Sequence, residues 1–176
     1  MDEIVLGGGC FWCIDAVFRR VKGVEMTVAG YAGGHAENPT YEKVASRATG
    51  HAEVVKIVFD SGIITLDTIL DIFWTVHDPT TKDRQGADVG PEYRSIIFYT
   101  DNNQKKTIDK SIESASKLWP EPVVTEVKPI DKFYEAEDYH QDYFNKNPDA
   151  AYCQVVINPK LSKLREKFRL LLKEYN

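Results

Sequence analysis

Three cysteines carry the reactive chemistry of this sequence, and two of them share the stretch Gly7-Gly8-Gly9-Cys10-Phe11-Trp12-Cys13. A C-x-x-C pair that follows a strand and opens a helix is the arrangement of thiol–disulfide redox sites. Ile4-Val5-Leu6 leads in as a short strand; Phe11, Ile14, Val17, Phe18 and Val21 lead out at three- and four-residue steps. Cys10 therefore falls at or near a helix N-cap, where free N–H groups and the helix dipole favour a thiolate. The glycines let the backbone approach whatever the sulfur attacks. Phe11 and Trp12 offer an apolar wall. By placement alone, the stretch equally fits an inert cysteine buried in a tight strand–helix corner.

A carboxylate is the second candidate. Residues 52–59, AEVVKIVF, read as a strand. With Lys56 outward, Val55, Ile57 and Phe59 face the core, and Glu53 shares their parity. A carboxyl there is desolvated and keeps its proton near neutral pH. If the strand begins later, Glu53 turns to water instead. Cys153 stands in Ala151-Tyr152-Cys153-Gln154, read as extended or loop. A zinc site from the cysteines and one of His35, His51, His77 or His140 lacks a second C-x-x-C and a paired histidine spacing. A cysteine hydrolase would take His51, His77 or His140 as its base.

The elements that must position these groups follow from periodicity and punctuation. Val24, Met26 and Val28 alternate as a strand, and a polar loop from Gly30 to His51 holds Tyr31, Tyr41 and an Asn38-Pro39 turn. So long a loop inside a compact domain is functional or disordered, and its tyrosines favour an ordered, functional one. Thr65 caps a helix with Leu66, Ile69, Leu70, Phe73 and Val76 on one face, ending near His77-Asp78-Pro79. A second polar loop, Asp78 to Glu92, contains Asp88; Tyr93 to Tyr99 reads as a strand. Asp101 with Gln104 resembles a capping box for a helix to about Lys117, and Val123 to Ile130 alternates as a strand. Phe133 to Phe144 suits one or two helical turns. Asn158 caps and Pro159 starts a last helix, with Leu161, Leu164, Phe168, Leu171 and Tyr175 on its face.

The opening order β-α-β-β-α-β suits a split βαβ unit. The expected fold is α+β: a two-layer, ferredoxin-like sandwich with a mixed sheet, long functional loops and a C-terminal extension. One domain spans residues 1–176, with a core over about 3–130 and a C-terminal segment, about 131–176, that carries Cys153. Net charge is −5 without a basic stripe, which argues against nucleic acid. No apolar run approaches the ~20 residues of a membrane span. Met1-Asp2-Glu3 runs straight into a strand, unlike a signal peptide. An odd, small number of cysteines points to a reducing, cytoplasmic setting.

Taken together, GGGCFWC, GYAGGHAENPTYEKV, TGHAEVVKIVFD, HDPTT, RQGADVGPEYRSIIFY, FYEAEDYHQDYF and AYCQVVINPKL resemble the A-type peptide methionine sulfoxide reductases, from Val5 to Phe168. The GCFW core is that family's signature. The resemblance implies reduction of methionine-S-sulfoxide, free or in peptides and proteins, to methionine. It implies Cys10 as the nucleophile on the sulfoxide sulfur and Glu53 as the acid that protonates its oxygen. It implies Tyr41 and Tyr93 as hydrogen-bond donors to that oxygen, Asp88 as the acidic residue of the pocket, and Phe11 and Trp12 as the wall for the S-methyl group. Cys10 would become a sulfenic acid, a second thiol would condense with it, and thioredoxin or another dithiol would restore it, with no metal or other cofactor. Cys153 matches a resolving position of the family, so it is expected to meet the sulfenic acid first. Cys13, where other members have glycine, is expected to resolve alternatively or to relay to thioredoxin. Tyr139 and His140 match a motif read as structural support. A monomer is expected. The competing reading is a thioredoxin-like C-x-x-C disulfide oxidoreductase, which needs neither Glu53 nor Tyr93.

Overall fold

The computed structural model describes residues 1–174; Tyr175, expected on the last helical face, lies outside the described residues. The expected core is present. β1 (Asp2–Gly7) leads into α1 (Phe11–Arg19), β2 (Val24–Ala32) and, after a short α2 (Tyr41–Ala45), β3 (Ala52–Phe59). α3 (Leu66–Val76), a small hairpin of β4 (Arg84–Gln85) and β5 (Asp88–Val89), and β6 (Ile96–Tyr99) follow. Then come α4 (Asn102–Ser116), β7 (Glu126–Pro129), β8 (Phe133–Glu135), α5 (Tyr143–Lys146) and α6 (Asn158–Phe168). The large sheet runs β7-β6-β1-β3-β2-β8. β1 and β2 both pair antiparallel to β3, so they run parallel with β3 between them, which is the split βαβ arrangement. β7 joins β6 in parallel and makes the sheet mixed.

Alternation along the strands divides the sheet into two faces. Ile4, Leu6, Val55, Ile57 and Phe59 pack with Ile14, Phe18, Ile69, Phe73, Ile108 and Leu164 of the helices in the main core. Val5, Val54, Ile96 and Phe98 form a smaller cluster on the other face. Two helix starts follow their sequence signals. The Thr65 side chain accepts the Thr68 N–H, and Asp101 accepts the Gln104 N–H at 2.8 Å while Gln104 accepts that of Thr100 at 2.8 Å.

Several boundaries differ from expectation. The register of β2 shifts between Val24 and Met26, so Met26 is exposed and Thr27 points inward, and the strand continues through Tyr31 to Ala32. Tyr93 closes a 3-10 turn, Pro91–Tyr93, and β6 begins only at Ile96. Pro91 has no N–H for a ladder, and Gly90 before it sits at φ 147, so the chain turns here instead of extending. Phe133–Glu135 is an edge strand on β2, where helical turns were expected. Asn158 does not cap α6. Helix already runs through Tyr152 and a π-helical turn, Cys153–Ile157, so Asn158 is helical and its amide donates to Gln154 Oε1 at 3.1 Å. Cys153 is thus helical and buried, not in a loop.

β8 can lie on β2 because residue 30 is glycine: a Cβ there would collide with the Phe133 ring and stand 2.5 Å from the Tyr134 carbonyl oxygen. We expect Gly30→Ala to destabilise the fold by roughly 1–3 kcal/mol, read as a lowered urea midpoint. An unchanged midpoint would contradict this account of the edge.

Candidate active site

Cys10 is the N-cap of α1, in an extended conformation (φ −63, ψ 131), after a turn that Gly9 makes at φ 94. Only Gly9 supplies a left-handed residue to this corner. Gly7 and Gly8 serve packing instead: a Cβ on Gly7 would press on Ile96 and the Glu53 carbonyl, and one on Gly8 on His77 and Phe73. The expectation that the glycines let the backbone approach whatever the sulfur attacks does not separate these roles.

β3 points Glu53 toward the helices, 2 % exposed, and its Oε1 accepts the Phe11 N–H at 3.1 Å. Burial pushes this carboxyl up to about 8; the Phe11 N–H opposes the shift, and the charges of Glu92 and Asp88 add to it. Glu53 is therefore a neutral acid at pH 7, hydrogen-bonded to the amide of the residue that follows Cys10. Its Oε1 is engaged as an acceptor, which leaves Oε2 to hold the proton.

The sulfurs differ from expectation. Cys10 is 8 % exposed, and burial, the Cys13 thiol and the charge of Glu53 hold its pKa well above the usual thiol value, against the pull of the Trp12 N–H. Cys13 moves the other way, drawn down by its contact with Cys10 and by the Lys160 ammonium. The helix N-terminus does not by itself make Cys10 a thiolate, because desolvation outweighs it. Of the two thiols, Cys10 holds its proton the more tightly. Cys13 Sγ also stands 3.6 Å from the Tyr152 hydroxyl, which donates to Asp88 Oδ2 at 2.6 Å. Cys153 follows Tyr152 on the π-helical turn; burial raises its pKa, and the charge of Cys13 adds to that. Cys13, and not Cys153, is thus the thiol in contact with Cys10. A cleft of about 590 Å³ opens onto Cys10, Cys13, Asp88, Tyr152 and Lys160; Glu53, Tyr41 and Tyr93 do not line it.

Aromatic residues frame the site. Trp12 stacks on Tyr143, with ring centroids 3.6 Å apart and planes at 5°, and its Nε1–H donates to His140 Nδ1 at 3.0 Å. That bond leaves the neutral His140 with its proton on Nε2, and burial lowers its pKa. Phe11 is buried between Tyr31 and His140, at 5.7 and 4.8 Å. Tyr41, at the start of α2, lies 4.7 Å from the His140 ring, and its N–H donates to Glu137 Oε2 at 3.1 Å. The Tyr31 hydroxyl donates to Glu137 Oε1 at 3.0 Å. Burial, then the charges of Glu53 and Cys10, push the Tyr41 phenol up to about 12, and the same causes raise that of Tyr93. Both remain hydrogen-bond donors at any ordinary pH.

The structure therefore gathers Cys10, Cys13, Glu53, Tyr41, Tyr93 and Asp88 into one electrostatic neighbourhood. Sequence reasoning missed Tyr152, Glu137 and Glu92. Glu92 is buried, 3.6 Å from the Arg47 Nε, and it helps to keep Glu53 protonated. Its neighbour Tyr93 was singled out, yet an acidic residue in a polar loop gives no sign of burial. Among the described residues, no three His, Cys, Asp or Glu side chains gather as a metal site.

Comparison with known proteins bears on this arrangement. A family model described as peptide methionine sulfoxide reductase matches residues 2–171. A protein of Psychrobacter cryohalolentis named peptide methionine sulfoxide reductase MsrA is 55% identical over 168 residues, 96% of each chain. The crystal structure of Mxr1 from Saccharomyces cerevisiae in reduced form superposes with a TM-score of 0.82 at 34% identity, covering 86% of this chain and 88% of that one. Mxr1 in complex with Trx2 gives a TM-score of 0.59 at 27% identity, over 81% and 84% of the two chains.

Proposed function

Because the chain belongs to the peptide methionine sulfoxide reductase family, we propose that Cys10 and Glu53 together reduce methionine-S-sulfoxide, free or in peptides and proteins. The enzyme is a thiol-dependent oxidoreductase that returns methionine sulfoxide to methionine. The observation that carries the assignment of roles is the buried Glu53 carboxyl, tied to the amide next to Cys10 and protonated at neutral pH.

Cys10 Sγ attacks the sulfoxide sulfur as Cys13, the more acidic thiol of the pair, takes up its proton. Glu53 delivers a proton to the oxygen, which cannot leave the methionine sulfur as a bare anion. The Tyr41 and Tyr93 hydroxyls stabilise the charge that grows on that oxygen. Trp12 and Phe11 supply the apolar side for the methyl group, and Asp88 orders the polar side. The methionine sulfur gains two electrons and Cys10 loses two, ending as a sulfenic acid. Cys13 then condenses with Cys10, and water leaves. We place Cys13 ahead of the expected Cys153 because Cys13 shares the first turn of α1 with Cys10, its N–H donating to the Cys10 carbonyl oxygen at 3.1 Å, and its thiol bears on that of Cys10. Cys153, buried and within reach of the Cys13 charge, takes over the disulfide afterwards and frees Cys10. Thioredoxin reduces the result, as the complex of Mxr1 with Trx2 suggests by analogy. The thiols supply both electrons, so the reaction calls for no prosthetic group. The chain works as one domain and a monomer in the reducing cytoplasm, where its three free thiols stay reduced. General disulfide exchange, by contrast, has no use for an acid held neutral beside the sulfur.

Mixing the reduced chain with methionine-S-sulfoxide, without a reductant, tests this. We expect one methionine released per chain and two of the three thiols lost. An unchanged thiol count, or equal turnover of the R epimer, would overturn the reading.

A further inference from the structure

Tyr152 holds no role in the chemistry above, yet its hydroxyl lies between two groups that do. The hydroxyl has one proton and donates it to Asp88 Oδ2 at 2.6 Å. Its oxygen therefore turns a lone pair toward Cys13 Sγ, 3.6 Å away, and can accept the S–H of Cys13. The ring is half-buried and stands edge-on to Trp12 at 5.8 Å, so the hydroxyl is held in place by packing. Tyr152 and Asp88 also line the cleft that opens on the sulfurs, which connects Asp88 to solvent.

From this geometry we propose that Tyr152 is a catalytic residue of the second half-reaction, relaying the Cys13 proton to Asp88 as Cys13 attacks the Cys10 sulfenic acid. The proposal rests on the reductase reading of the site. In the step, the Cys13 S–H proton passes to the Tyr152 oxygen while the Tyr152 proton passes to Asp88. The Cys13–Cys10 S–S bond forms and the S–O bond of the sulfenic acid breaks. The hydroxyl leaves as water after taking up one proton, and Asp88 returns one to the cleft, so charge and protons balance. The first half-reaction does not pass through Tyr152, because Glu53 serves the oxygen there. Groups bearing on Cys13 besides Tyr152 are Cys10, Lys160 and Asp88.

Tyr152→Phe keeps the ring against Trp12 and removes only the relay. In a single turnover with methionine-S-sulfoxide, timed samples give methionine formed, thiols remaining, and sulfenic acid trapped by dimedone. We expect methionine release at the parent rate, with loss of the second thiol slowed about tenfold or more, in the range of a lost acid–base group, and trapped Cys10 accumulating. Asp88→Asn, which breaks the relay from its other end, should likewise slow thiol loss more than methionine release. Thiol loss in Tyr152→Phe at the parent rate would overturn the relay, as would slowing of both steps by the same factor. A parent chain that releases no methionine would overturn the reductase reading first, and the relay with it.

Discussion

In a single turnover at neutral pH, Glu53→Gln releases methionine on the order of 10²–10⁴-fold more slowly than the parent, the range of a lost general acid. Glutamine can still accept the Phe11 N–H that Glu53 accepts at 3.1 Å, so the site keeps its shape and loses only the proton. The pH dependence has a definite sign. The parent's methionine-forming step falls as pH rises through about 8, where Glu53 ionises, and Glu53→Gln lacks that limb. Stability of the parent moves in the same sense. The folded carboxyl holds its proton to about 8 against an ordinary 4.5, so the fold loses stability as pH rises through that window. Above it, Glu53→Gln should be more stable than the parent by roughly 3–5 kcal/mol, at 1.36 kcal/mol per pKa unit. Urea midpoints at pH 5 and pH 9 check this, and a variant no more stable at the higher pH would contradict the buried neutral acid. Parent-like methionine release would remove Glu53 from the acid role.

Cys10→Ser should lose activity to background, on the order of 10⁴-fold or more, as when a covalent nucleophile is removed. Cys13→Ser should behave differently. Its nucleophile and acid remain, so it still forms up to one methionine per chain, more slowly without the Cys13 base. Its continuous turnover with thioredoxin falls, because the thiol in contact with Cys10 is gone. Methionine assays at limiting and at excess reductant separate the two behaviours. Sustained turnover by Cys13→Ser at the parent rate would return the first resolving step to Cys153.

The two members of the central pair were legible for different reasons. Glu53 could be found because strand parity is strict: one outward lysine at 56 fixes the facing of every other residue in β3. Cys10 could be found because a strand, a glycine turn and a helical repeat meet at one residue. Its ionisation could not, since burial depends on what packs around α1, and that is settled by distant chain. The Cys13–Tyr152–Asp88 contacts were equally hidden: they join residues 139 and 64 positions apart, and no local pattern encodes such a meeting. The edge strand β8 escaped because three residues are too few to show alternation, and the clearest sign of it is the missing side chain at Gly30 on its partner. The π-helical turn at Cys153 escaped because Asn158-Pro159 reads as a helix start when it lies inside a helix that has already begun.

The most direct test of the account isolates the nucleophile. In the double variant Cys13→Ser, Cys153→Ser, Cys10 is left as the only thiol of the chain. After reaction with one equivalent of methionine-S-sulfoxide, peptide mass spectrometry should find a single added oxygen on Cys10, with methionine formed in equal amount. Methionine formed without oxygen on Cys10, or no methionine at all, would contradict the attack of Cys10 on the sulfoxide.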